Sequence, residues 1–123
     1  KNSYKWGSLL RSGTIIPGGS DAPIESPSPI EGIYAAVTRK NSSGFPKDGW
    51  QSSQCLSIDQ AILMYTEWPA HASFQENLRG KIKPGFRADF SVLSQNLSSI
   101  HSEEILSTKV LFTIVNGKLV YSG

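Results

Sequence analysis

A length of 123 residues fits one ordinary domain, and 38% hydrophobic against 18% charged side chains is the balance of a chain that buries a core. Twelve basic and ten acidic side chains leave a formal charge of +2 with no long run of either sign, which argues against a face built for nucleic acid or anionic lipid. No apolar run approaches the ~20 residues that span a bilayer, the opening KNSYKWGSLL lacks a signal peptide's apolar stretch, and one cysteine, Cys55, excludes an internal disulfide. Neither nucleic acid nor membrane is expected as a partner, and the compartment is left open, with the cytoplasm favoured.

In chain order, Tyr4, Trp6, Leu9 and Leu10 stand at helical spacings before Gly13 and predict a helix with a glycine stop. Thr14-Ile15-Ile16 is a short β-branched run ending at Pro17-Gly18-Gly19, so a buried strand is expected to release the polar loop Ser20-Asp21-Ala22-Pro23. Proline lacks a ladder donor, which puts Pro17 at the strand's end or at a bulge. Ser28 and Pro29 are an N-cap and a first helical residue for a helix running to Val37.

Arg39 to Cys55 is rich in Asn, Ser, Gly and Pro, has no periodicity, and reads as a long loop held down by Phe45 and Trp50. Ser57 precedes Ile58, Ala61, Ile62 and Tyr65, the three-and-four spacing of an amphipathic helix, and Pro69 interrupts that pattern before a further short helix over 70–74. From Gly80 the pattern turns strand-like: Phe90 to Leu93, Val110 to Val115, then Leu119 to Tyr121. Asn116-Gly117 between the last two is a hairpin signal, since both residues accept the positive φ of a type I′ turn.

A lone strand among helices cannot satisfy its own backbone groups, so neighbouring strands are expected to lie outside this sequence. Pairing of two copies through that open strand edge, a homo-oligomer, is the other way to fill it.

The residue with the strongest claim to chemistry is Asp21. A carboxylate just past a strand's end is where an α/β enzyme places reactive groups, although an aspartate in a Gly/Pro-rich loop also serves as an ordinary Asx-turn residue. Glu25 shares the loop. Arg39, at the following helix's C-terminus, suits either a substrate carboxylate or a structural partner and gains from the helix dipole in both cases. His71 and His101 are 30 positions apart and are read as structural or exposed, Asp89 as a local turn former before a strand, Cys55 as a bystander thiol, and the three tryptophans as packing residues.

Three motifs carry a resemblance. Gly19-Ser20-Asp21-Ala22-Pro23-Ile24-Glu25-Ser26-Pro27 with Ile33-Tyr34-Ala35-Ala36-Val37-Thr38-Arg39, then Leu56 to Thr66, then Gly80-Lys81-Ile82-Lys83-Pro84-Gly85-Phe86-Arg87-Ala88-Asp89-Phe90, closed by Val115-Asn116-Gly117-Lys118, resemble the C-terminal part of the amidohydrolase superfamily, amidohydrolase family 3. The resemblance implies an α/β fold: the last βα units of a (β/α)8 metal-dependent hydrolase barrel over residues 1–75, and strands of a small composite β-sandwich over 76–123. A whole barrel needs about 250 residues, so the remainder of the barrel becomes an obligatory partner and the isolated chain is expected to be inactive. The resemblance further implies hydrolysis of an amide-like carbon–nitrogen bond in a small-molecule substrate. It also implies a divalent metal, Zn²⁺ by expectation, with Asp21 as both ligand and proton carrier and Glu25 and Arg39 near the substrate. The alternative reading is a catalytically inactive binding or assembly module on the same fold.

Overall fold

The computed structural model describes residues 3–123. Four short helices precede a three-stranded antiparallel sheet: α1 Trp6–Arg11, α2 Pro29–Thr38, α3 Ile58–Tyr65, α4 Glu67–Ala72, then β1 Phe90–Leu93, β2 Val110–Val115 and β3 Lys118–Ser122, in sheet order β1-β2-β3.

Local chemistry accounts for the starts of three helices. Pro29 opens α2 as expected, but Ser28 makes no side-chain cap bond; the Ser26 hydroxyl accepts from the Ser28 N–H at 3.3 Å and donates to Glu31 at 3.0 Å. Ser57 caps α3 in a reciprocal box, its hydroxyl accepting from the Gln60 N–H at 3.1 Å while the Gln60 side chain accepts from the Ser57 N–H at 2.9 Å. Helix α4 begins at Glu67, earlier than the proline suggests, because Pro69 falls in the first turn, where a missing N–H costs no helical bond.

The hairpin joining β2 to β3 turns at Asn116 and Gly117, whose φ values of 50° and 76° are those of the type I′ geometry. Asp89 has a longer reach than its expected local role: its carboxylate accepts from the Asn116 N–H at 2.7 Å, and Gly117 N–H donates to Ala88 O at 2.9 Å. The segment entering β1 is thereby tied to the far hairpin.

The core is made by α2 and α3 and shared with the strand-rich half. Ile30, Ile33, Tyr34 and Ala36 of α2 meet Ala61 and Met64 of α3, Leu56, and Leu97 and Ile105 from two 3-10 turns between β1 and β2. Ile105 is 1% exposed. By contrast, all of β3 is exposed, with Leu119, Val120 and Tyr121 each at least half open to solvent although neighbouring residues point to opposite faces.

One expected element is missing. Thr14–Ile16 carries no strand ladder among the described residues; the segment is extended chain, with Ile15 exposed and Ile16 packed against the core. A strand is a pairing relation, and the described residues offer this run no neighbouring strand. The sheet that does form is antiparallel and is made of the three strand-like runs expected after Gly80, closed by the expected hairpin.

Candidate active site

Asp21 stands at the turn of a loop that leaves the helical core at Gly18 and rejoins it at Pro29. The Gly18 N–H donates to Met64 O at 2.8 Å, rooting the loop's entry on the last turn of α3. Inside the loop, Ile24 N–H donates to Asp21 O at 2.9 Å and Glu25 N–H to Ser20 O at 3.2 Å, closing a turn that presents residue 21 at its edge. Asp21 has φ 50°, in the left-handed region that aspartate tolerates better than most side chains. Both Asp21 and Glu25 are exposed.

The two glycines of the loop differ in purpose. A Cβ on Gly18 would stand 3.2 Å from Met64 O and 3.2 Å from Tyr65 Cζ, so the chain passes too close to α3 for an easy side chain. A Cβ on Gly19 would meet nothing within 4 Å. Only Gly18 has a packing reason to be glycine.

Arg39 is built into the framework. It ends α2 in the left-handed conformation (φ 58°), is 7% exposed, and its guanidinium lies 4.6 Å from the Trp6 ring and 4.9 Å from the Trp50 ring. Tyr4 meets both indoles edge-on. Arg39 Nε donates to Trp50 O at 3.1 Å and Trp50 N–H to Arg39 O at 2.8 Å, so side chain and backbone both pin the 39–55 loop. Among the described residues its Nη2 is buried without a hydrogen-bond partner, and burial lowers the guanidinium's pKa from its ordinary value. Its contacts with Trp6 and Trp50 are of the structural kind expected of it.

Trp50 shares the pinning of that loop as expected; Phe45 does not. Its ring is 70% exposed, and the work falls instead to Asn41, whose Oδ1 accepts from Ser43 N–H, Ser43 Oγ and Phe45 N–H. Gln54, 7% exposed, adds a second tie by accepting from Ser8 N–H and Oγ at 2.9 and 3.0 Å. Cys55 is half-buried, and burial raises its pKa while the nearby Arg39 and Lys40 charges oppose the rise. His71 and His101 are both exposed.

A divalent ion needs several hard or imidazole donors converging on one point. Among the described residues no three His, Cys, Asp or Glu side chains do so, and these residues by themselves do not make a metal centre. Asp21 offers a single exposed carboxylate, a suitable donor for one coordination position only.

The sequence-wide comparison decides the family. A family model described as "Amidohydrolase family" matches residues 1–121, so the match takes in the Asp21 loop, both core helices and the terminal hairpin. The chain belongs to the amidohydrolase family. Among its amidohydrolase-like relatives, the putative amidohydrolase YtcJ of Bacillus subtilis is 39% identical over 98% of this chain and 23% of its own length. The protein LONG AFTER FAR-RED 3 of Arabidopsis thaliana is 35% identical over 98% of the chain and 20% of its own length. The N-substituted formamide deformylase of Arthrobacter pascens is 34% identical over 93% of the chain and 20% of its own length. The chain thus spans about a fifth of the length of these curated relatives. No solved structure matches it. No helix among the described residues is long and apolar enough to cross a membrane.

Tyr65 packs against Gly18, at the entry of the Asp21 loop, and against Gly32 of α2. The signal that points to it is Gly32, a glycine inside α2 where helix propensity disfavours it by about 1 kcal/mol relative to alanine.

Proposed function

We propose that this chain is the Asp21-bearing part of a metal-dependent hydrolase that cleaves an amide-like carbon–nitrogen bond in a small molecule. Membership of the amidohydrolase family, with an exposed carboxylate held at the turn of a loop inside the matched region, is the observation that carries the reading. The name of the deformylase relative supports N-substituted formamides as the first substrates to try.

In this reading residues 1–75 supply the last βα units of a (β/α)8 barrel and residues 76–123 supply strands of a β-sandwich. The unladdered extended run at Thr14–Ile16 and the uncovered faces of β3 support it, since each is a surface that further strands would satisfy. The remainder of the barrel is then a partner within the same protein. It would also supply the other ligands of a divalent ion, Zn²⁺ being the first to test, with Asp21 contributing one carboxylate. When bound, such an ion supplies polarisation of the carbonyl and a more acidic water.

The part assigned to this chain is proton transfer. Asp21 accepts a proton from the attacking water and returns it to the departing nitrogen, so that the amine leaves neutral. In this reading Glu25, exposed in the same loop, takes a contact with the substrate, and Arg39 holds the loop framework. The test uses the full-length protein that carries this chain, assayed for formate and amine release from a panel of N-substituted formamides, before and after chelation. D21N is expected to lower kcat by a factor of about 10² to 10⁴ with the fold intact. Near-normal kcat in D21N overturns the role of Asp21, and undiminished turnover after exhaustive chelation overturns the metal.

A further inference from the structure

Tyr65 closes α3, and the chain bends sharply after it at Thr66, whose backbone lies at φ −129° and ψ −86°. Its ring lies between the entry of the Asp21 loop at Gly18 and the first turn of α2 at Gly32. There it touches both ends of that loop.

At the entry, a Cβ on Gly18 would stand 3.2 Å from Tyr65 Cζ, while the Gly18 N–H is already held by Met64 O at 2.8 Å. At the exit, a Cβ on Gly32, one turn into α2, would collide with the Tyr65 hydroxyl and stand 2.7 Å from Cζ. The hydroxyl thus occupies the place where a side chain at position 32 would be, which explains a glycine in the interior of a ten-residue helix. Burial also raises the Tyr65 pKa, in keeping with a phenol that stays neutral in a packed slot.

We propose that Tyr65 is a positioning residue: by filling the slot between Gly18 and Gly32 it fixes both roots of the loop and so sets where Asp21 points. For its kinetic consequence the proposal rests on the catalytic reading of Asp21; for its structural content it does not. Fixing both roots narrows the positions open to the loop between them, and releasing one root widens the range the carboxylate explores. Misplacement of a reacting group by about 1 Å is enough to cost on the order of a hundredfold in rate.

The experiment compares Y65A, Y65F, G32A and the G32A/Y65L pair with the wild type in the full-length protein, reading amide hydrogen exchange over residues 18–25, kcat and KM per folded molecule, and the unfolding midpoint. Y65A and G32A are expected to speed exchange over 18–25 by about tenfold or more and to lower kcat between about tenfold and a hundredfold, with KM changed by less than about threefold. Y65F keeps the ring in its slot and recovers most of the loss. G32A/Y65L recovers relative to G32A, because leucine has no atom where the added methyl stands.

Unchanged exchange over 18–25 in both Y65A and G32A overturns the proposal. So does faster exchange with kcat per folded molecule intact while D21N is inactive, since the lock then has no bearing on Asp21. If D21N itself keeps its activity, the catalytic reading fails on its own, and the exchange measurement alone decides whether Tyr65 fixes the loop.

Discussion

Ile105 tests whether the strand-rich half is anchored in the helical core or merely adjacent to it. It lies in a 3-10 turn between β1 and β2, is 1% exposed, and packs with Ile33, Tyr34 and Ala61 in one cluster. Truncation to alanine removes three carbons at about 0.8 kcal/mol each. The surroundings relax only partly, and roughly 40 Å³ left unfilled adds about 1 kcal/mol. The expected loss for I105A is therefore about 3 kcal/mol, or two orders of magnitude in the folding equilibrium. I105V, which removes one carbon, is expected to cost about 1 kcal/mol. V120A serves as the surface control: Val120 is 60% exposed, and its truncation should stay within about 0.5 kcal/mol. The assay is denaturant unfolding followed by circular dichroism, with the midpoint shift read at constant slope. A loss under about 1 kcal/mol for I105A would refute the shared core and leave the two halves as separate packing units.

Replacing Ser57 by alanine removes one arm of the capping box on α3 and is expected to lower stability by about 1 kcal/mol, measured by the same unfolding curve; no change would mean the cap is made in another way. R39K loses the bond to Trp50 O and the guanidinium's contacts with the Trp6 and Trp50 rings, and is expected to destabilise by about 2 kcal/mol and to red-shift indole emission as the rings gain water. Cys55, whose pKa burial raises, is expected to react with iodoacetamide at pH 8 more slowly than an unstructured cysteine peptide. The sign for stability follows from the same shift. An acid with a raised folded pKa contributes stability that is complete below the unfolded value and lost as pH rises through the folded one, so C55S should flatten the alkaline limb of the pH–stability curve.

Elements whose cause is local were legible in the sequence. The proline at the start of α2, Ser57 just ahead of α3 and the Asn116-Gly117 turn each act within four residues, and each appears where the residues put it. What was not legible depends on partners distant in sequence. Thr14–Ile16 has strand-forming side chains but no ladder, because side-chain preference cannot supply a neighbouring backbone. Phe45 has the ring to pin a loop, yet Asn41 does so through its short amide while the ring stays in water. Leu97 and Ile105 enter the core from 3-10 turns too short to show any periodicity, so nothing in their spacing announces burial.

The candidate site divides along the same line. Asp21 could be singled out because a carboxylate flanked by glycines and prolines is conspicuous as a string of residues, and its φ of 50° is one that aspartate tolerates in such a turn. The framework around it could not. Trp6, Arg39 and Trp50 meet across 44 positions of sequence, and Gly18, Gly32 and Tyr65 across 47, so no window of the chain contains either cluster whole. In each cluster one half of a contact is nonetheless written as an oddity: a charged side chain at a helix end beside a tryptophan-bearing loop, and a glycine where α2 would gain from alanine. An unexplained local cost is the mark that a distant partner leaves on a sequence, and at Gly32 that partner is the ring that holds the Asp21 loop by both ends.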